Sequence, residues 1–469
     1  MHKITGERDE VLKLMKNTIS QLGNDSAKVK KAGMKSLSLT SDAKWPDQRD
    51  SLVDILKRGY DNEQKATRAA GIDSVTPNER AVDSWYAPRN RAVAVFQAAM
   101  DEYLESHPDA KVTPKPAKKK GSTRASSVGA ASKTAGPAMT LDAFYETKPG
   151  KKKGKAGTRT GAAAIAEQFD NLDPRWVEVV WAKAKILFKG KHKFISHSSA
   201  TDFRFGLADE ATIAIVGDWG GGNEAAQAVA KQINKLNPDH IIHLGDVYYA
   251  GTEKEVKDRF LKYWPKPAAP GLSFALNSNH EMYSGGYGYF DVTLKEFKQP
   301  ASYFSLGNKN WRFIGLDTGY VDHDLNPEQV KWLTAQFKGN NPRTILLSHH
   351  QLFSAYEKTD TDNLTSRVQP FLNANQIYGW IWGHEHLCVV FKPNLGIKAV
   401  CLGNGCFPYN VPSKQPSIPI EWIDDRAQPD DPDYKGIHTF ALLHVTPEKI
   451  DIEYIDQDGN VADHKDSWA

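Results

Sequence analysis

Residues 213–224 read IAIVGDWGGGNE, and the fold turns on how this stretch is read. Four apolar residues, Ile213, Ala214, Ile215 and Val216, run without alternation, as in a strand buried on both faces. Gly217 and Asp218 end the run. Gly220, Gly221 and Gly222 turn the chain into NEAAQAVAKQINKL (223–236), which predicts a helix with Asn223 as its N-cap. Strand, acidic turn and helix in this order predict an α/β domain whose strand ends carry chemistry. Asp218 suits a metal ion there. A histidine two residues later would complete a pair of ligands, yet position 220 is glycine.

Working outward, the same design recurs. HIIHLGD (240–246), NWRFIGLDT (310–318), RTILLSH (343–349) and GWIWGHEH (379–386) are short apolar strands that end in polar residues. PEQVKWLTAQF (327–337) predicts a helix with proline in its first turn. HTFALLHV, TPEK and IDIEYID (438–456) predict a hairpin.

Toward the N-terminus the pattern changes. Leu12, Met15, Ile19 and Leu22 fall on one helix face, and Arg89 to Tyr103 gives a second such stretch through Ala92, Val95, Phe96 and Met100. Residues 1–110 are therefore expected to be a helical region. Residues 111–165 form a basic, low-complexity linker that is too poor in apolar side chains to fold, so disorder is expected. Residues 111–160 alone hold thirteen Lys or Arg and two acids, net +11, which leaves −8 for the rest of a chain of net +3. Such a segment attracts phosphate without reading sequence, so at most a weak contact with nucleic acid or protein is expected of it. Within it MTLDAFYETK (139–148) loosely resembles the short peptides that bind sliding clamps, with Ala138 where those peptides carry Gln. WVEVVWAKAKILF (176–188) predicts a helical lead-in over 166–204, before a catalytic domain over 205–460.

Composition bounds the rest. With 40% hydrophobic and 25% charged residues in 469, the chain is of the ordinary globular class. Three cysteines, Cys388, Cys401 and Cys406, form neither a disulfide framework nor a zinc motif. There is no apolar leader and no run of 18 apolar residues, so the expected place is the cytoplasm, with no membrane partner.

Five strand-end blocks carry the candidate chemistry. They deliver Asp218, then Asp246 to Tyr249, then Asn279 and His280, then His349 and His350, then His384 and His386. Acids and imidazoles cannot sit cheaply inside apolar strands, so they gather at the ends, where tight turns fix them. Each block alone is weak, but the ordered set is specific.

As GDWG (217–220), GDVYY (245–249), SNHE (278–281), LLSH (346–349) and GHEH (383–386), the set resembles the metallophosphoesterase (calcineurin-like) superfamily over roughly residues 205–460. In detail it resembles the purple acid phosphatase branch, including its tartrate-resistant members. The resemblance implies a two-sheet β-sandwich flanked by helices. It implies two metal ions, the first on Asp218, Asp246, Tyr249 and His386, the second on Asp246, Asn279, His349 and His384. Tyr249 then replaces the histidine missing at 220. A phenolate favours Fe(III) in the first site, while the second site's N/O donors accept Fe(II), Zn(II) or Mn(II). The implied reaction is hydrolysis of phosphate monoesters by metal-bound hydroxide, with Asp246 and His280 as catalytic residues. The alternative is a phosphodiesterase acting on nucleotides or nucleic acid through the same site. Asn279, His280, His350, Tyr283 and Tyr287 are candidate substrate contacts. Ser278 departs from the branch, which carries Gly before Asn279.

Overall fold

The structure is a computed structural model that describes residues 8–23, 45–69, 90–106, 183 and 185–469, except 340, 358–361, 408, 410, 413–414 and 429–434. The linker 111–165, its MTLDAFYETK stretch and the first part of the expected lead-in lie outside the described residues.

Alternation of side chains decides the layering. In the strand β2 (Ala211–Val216), Ile213 and Ile215 enter one core while Ala214 and Val216 enter another. The second core is closed by Ala226, Val229 and Ile233 of the helix Glu224–Leu236, which Asn223 caps. A strand buried on both faces has no polar face to show, which is why this stretch reads as a continuous apolar run. Its sheet also contains β3 (His240–His243), β4 (Ser273–Ala275), β12 (Thr439–Val445), β13 (Ile450–Asp456) and β14 (Val461–Trp468), in the order β14-β13-β12-β2-β3-β4. The expected C-terminal hairpin is β12 and β13. The sheet continues through β14, past the expected domain end at 460.

The other sheet contains β1 (Arg204–Gly206), β5 (Phe304–Gly307), β6 (Trp311–Gly315), β7 (Arg343–Ser348), β8 (Gly379–Trp382), β9 (Cys388–Asn394), β10 (Ile397–Leu402) and β11 (Ile420–Ile423). Their order is β1-β5-β6-β7-β8-β10-β9-β11. Ile345 and Leu347 of β7 meet Ile213, Ile215, Ile242 and Leu443 between the sheets. Leu346 points the other way, to Trp332, Leu333, Leu364 and Val368 of the helices Pro327–Gln336 and Asp362–Asn373. The result is two sheets face to face, flanked by helices.

This topology places the site. β2, β3 and β4 are parallel, and so are β6, β7 and β8. Every block found in the sequence follows the C-terminal end of one of these strands, so the blocks share one rim of the sandwich. Open parallel sheets bind ligands at that end.

Among the described residues, the helices α1 (Arg8–Gly23), α2 (Trp45–Ala69) and α3 (Arg91–Ser106) precede the sandwich in sequence. Ala94, Val95 and Ala98 of α3 pack against Ala250 and Tyr283 beside the rim. Among the described residues no helix is long and apolar enough to cross a membrane.

Candidate metal centre

Asp218 and Asp246 leave their strands with left-handed backbones, φ 55° and 77°, and His384 does so at 68°. Such conformations cost about 1–3 kcal/mol each and persist only where neighbours enforce them. Here the turns enforce each other. Asp218 N donates to Gly245 O (3.0 Å), Gly220 N to Asp246 O (3.0 Å) and Tyr248 N to Gly220 O (3.2 Å). His384 N donates to Asp218 Oδ2 (2.9 Å) and so ties the rim of one sheet to the other.

Glycine at 220 has a steric reason. A Cβ there would lie 2.6 Å from both Asp246 O and Val247 Cα. No histidine fits at this position, because the second turn is laid directly on the first. Gly220→Ala is expected to lower stability by about 1–3 kcal/mol, the range for overpacking, read as a lower urea midpoint with unchanged slope. A variant as stable as the parent would contradict this packing.

Two groups of donors form at the rim. Asp218, Asp246 and His386 offer ligand atoms that lie within 4.8 Å of one another. Beside them, His349 Nε2 lies 3.2 Å from Asp246 Oδ1, 2.9 Å from Asn279 Oδ1 and 3.1 Å from His384 Nδ1. Asp246 thus stands between the two groups. Its neighbours aim the donors. His349 Nδ1 faces Leu244 O (3.0 Å), which leaves Nε2 toward the centre. Asn279 Nδ2 donates to Tyr283 Oη (2.9 Å), which turns the amide oxygen inward. Ser278 Oγ donates to Asp246 Oδ1 (2.6 Å) and also bonds Glu281. The departure at 278 therefore adds a hydroxyl that holds the central carboxylate.

The structure gives the two tyrosines different neighbours. The Tyr249 ring lies 5.7 Å from the Arg259 guanidinium, near Asp101 and Glu255, and its N donates to Glu255 Oε1 (2.6 Å). Tyr248 is the tyrosine in the site, with Oη 3.3 Å from Asp218 Oδ1 and 3.1 Å from His386 Nε2. Adjacent side chains diverge, and the cation at 259 draws the second ring away from the rim.

His280 lies beside Asp246 and Tyr249. Nδ1 faces Tyr249 O (2.6 Å) and Nε2 is 3.8 Å from Asp246 Oδ2. His350 follows the end of β7 and sits against His384 and His323, at ring distances of 4.8 and 3.9 Å. Tyr287 is not brought to the donors. It packs under Lys189 and lines a separate cleft of about 200 Å³ with Ile186, Thr252 and Ser284. His323 was not singled out in the sequence, since it ends no strand.

Electrostatics ask for a cation. Asp218 and Asp246 are both fully buried, and burial followed by the Asp246 charge pushes the Asp218 carboxyl well above the usual range. Burial opposes the charge on Asp246 as well, but His280, His349 and the Ser278 hydroxyl hold it ionised. Burial and then both carboxylates raise the Tyr248 phenol. A metal ion among these atoms opposes the shifts of Asp218 and Tyr248 and reinforces that of Asp246, since it favours the anionic form. Carboxylate, amide and imidazole donors aimed by hydrogen-bonded neighbours fit such an ion.

A two-sheet α/β fold with this rim defines a class. Residues 211–388 match the family model described as Calcineurin-like phosphoesterase, and this match supports a phosphoesterase hydrolase. Among its relatives is tartrate-resistant acid phosphatase type 5 of Sus scrofa, 23% identical over 52% of this chain and 83% of that protein. Purple acid phosphatase 7 of Arabidopsis thaliana is 24% identical over 54% of this chain and 85% of the other. Among solved structures, a purple acid phosphatase from yellow lupin seeds covers 56% of this chain and 54% of its own at 18% identity, with a TM-score of 0.39.

Proposed function

We propose that the rim hydrolyses phosphate monoesters with two metal ions, as a purple-type acid phosphatase does. The observation that carries this is Asp246, which lies between Asp218 and His386 on one side and Asn279, His349 and His384 on the other. The first ion is held by Asp218, Asp246, His386 and the phenol of Tyr248. The second is held by Asp246, Asn279, His349 and His384. Phenolate suits Fe(III) in the first site, and the second accepts Fe(II), Zn(II) or Mn(II). When bound, the ions supply a Lewis acid for the phosphoryl oxygens and a strongly acidified water.

The chain's own side chains do the rest. His280 is held through Nδ1, so Nε2 is free to protonate the leaving oxygen. Asn279 is fixed by Tyr283, which gives Tyr283 a supporting role in the site. His350 borders the second ion's side through His384 and is a candidate substrate contact there. Burial pushes His349 down to about 4. Its imidazole is therefore neutral, with its lone pair available, at any pH above that value, and the ligand is lost only as pH falls through it. Metal retention is thus expected down to about pH 4–5, checked by dialysis against buffers of falling pH. Release already at pH 6 would contradict this reading of His349.

The tyrosine assignment is tested by colour. Iron-loaded protein is expected to show a visible phenolate charge-transfer band that Tyr248→Phe removes and Tyr249→Phe retains. The converse result places Tyr249 on the ion. The substrate class is tested by initial rates on aryl phosphate monoesters and diesters. Faster diester hydrolysis overturns the phosphomonoesterase reading and leaves the metal site standing.

A further inference from the structure

One cluster at the rim reaches beyond the donors just described. After β6, the loop 317–324 is organised by Asp317, whose Oδ1 accepts from Gly319 N (3.1 Å) and Tyr320 N (2.8 Å). Arg367 fixes its far end through Asp324 (3.0 Å). The loop thereby presents His323 against two histidines of the other turns. His323, His350 and His384 offer ligand atoms within 4.8 Å of one another. Ring centroids are 3.9 Å apart for His323 and His350, 4.8 Å for His350 and His384, and 5.5 Å for His323 and His384.

Two further observations point to a ligand. His350 is wholly buried and its Nε2 has no hydrogen-bond partner, while its Nδ1 is held by Thr318 Oγ1 (3.0 Å). An imidazole anchored through one nitrogen with the other aimed into a cluster is the arrangement of a metal-binding histidine. The exposed carboxylate of Asp322 borders the same place, with Oδ1 3.6 Å from His350 Nε2 and 3.0 Å from His323 Nδ1. Three imidazoles beside one carboxylate match the preference of a borderline divalent ion.

We propose that His323, His350 and His384 form an additional, inhibitory site for a borderline divalent cation of the zinc class. Inhibition follows from His384. Its Nδ1 faces His349 at 3.1 Å, among the donors of the second catalytic ion, while its ring also borders His323 and His350. A cation seated in the trio draws on the side chain that the catalytic pair needs. The inhibitory part rests on the reading of His384 as a ligand of that pair. The trio itself rests on geometry alone.

The test uses the full chain, wild type and His323→Ala, since His323 is not among the residues assigned to the reaction. Equilibrium dialysis with Zn(II) is expected to give about one more bound equivalent in wild type than in the variant. Hydrolysis by protein already loaded with catalytic metal is expected to fall as Zn(II) is added, at about ten-fold lower Zn(II) in wild type than in His323→Ala, in line with the cost of disturbing a metal site. Equal stoichiometry in the two proteins, or equal sensitivity to added Zn(II), overturns the proposal. Asp246→Asn separates the two readings. If it leaves the tightly held metal unchanged, the catalytic assignment fails. If it lowers that metal but keeps the His323-dependent equivalent, both stand.

Discussion

Asp246→Asn is expected to abolish hydrolysis, with kcat falling by about 10³-fold or more, because groups that act as a unit fail together. Asp246 stands between the two donor groups, 3.2 Å from His349 Nε2 and among the atoms that include Asp218 and His386. An amide cannot serve two cations. It has one oxygen, no charge, and an NH₂ that points hydrogens at one site. The amide still accepts the Ser278 hydroxyl that Asp246 Oδ1 accepts at 2.6 Å, so the fold survives. The metal-free variant is even expected to be at least as stable as wild type, because Asp218 no longer faces a second buried anion. Stability traded against activity is usual where like charges are gathered for function. Activity assays and thermal unfolding of the same metal-free and metal-loaded preparations read both effects. Near-normal turnover would remove Asp246 from the centre.

Arg259→Ala is expected to have the largest effect on stability. Arg259 is buried, and its Nη2 meets Asp101 of α3 at 2.5 Å while Nη1 lies 3.8 Å from Glu255. Nη1 also donates to Tyr248 O (3.1 Å). Burial opposes the guanidinium charge, but Asp101 and Glu255 overcome it and hold it protonated. Removing the cation takes the opposing Arg259 charge from two buried carboxylates, a change that costs about 3–5 kcal/mol. Glu255 in turn accepts from Tyr249 N (2.6 Å) and Ala250 N (3.2 Å), so the loop that delivers Tyr248 loses its clamp. Urea unfolding is expected to show the loss of stability. Metal affinity measured below the transition is expected to weaken with it. A drop of less than about 1 kcal/mol, the scale of an exposed pair, would show that this network carries little.

Much of the site was legible in the sequence because strand ends are local features. The apolar runs of β2, β3, β7 and β8 are buried on both faces, so each announces its own end, and the residues beyond each end are the donors. Parallel pairing then puts those ends on one rim. What was not legible depends on contacts distant in sequence. The choice between Tyr248 and Tyr249 is made by Arg259, whose charge is fixed by Asp101, 158 residues away. No spacing in GDVYY encodes that. His323 reaches the rim only because the 317–324 loop folds back from a strand neighbouring that of His350. Tyr287 sits in a Gly-rich aromatic loop shortly after Asn279 and His280, near them in sequence yet turned away to Lys189.

The most direct measurement is a crystal of metal-loaded protein taken at the absorption edges of the bound ions. Two anomalous peaks are expected about 3.5–4 Å apart, the spacing of two-metal hydrolases. Asp246 lies between them, Tyr248 Oη on one and His349 Nε2 on the other. A single peak, or two peaks of which neither touches Asp246, would contradict this arrangement.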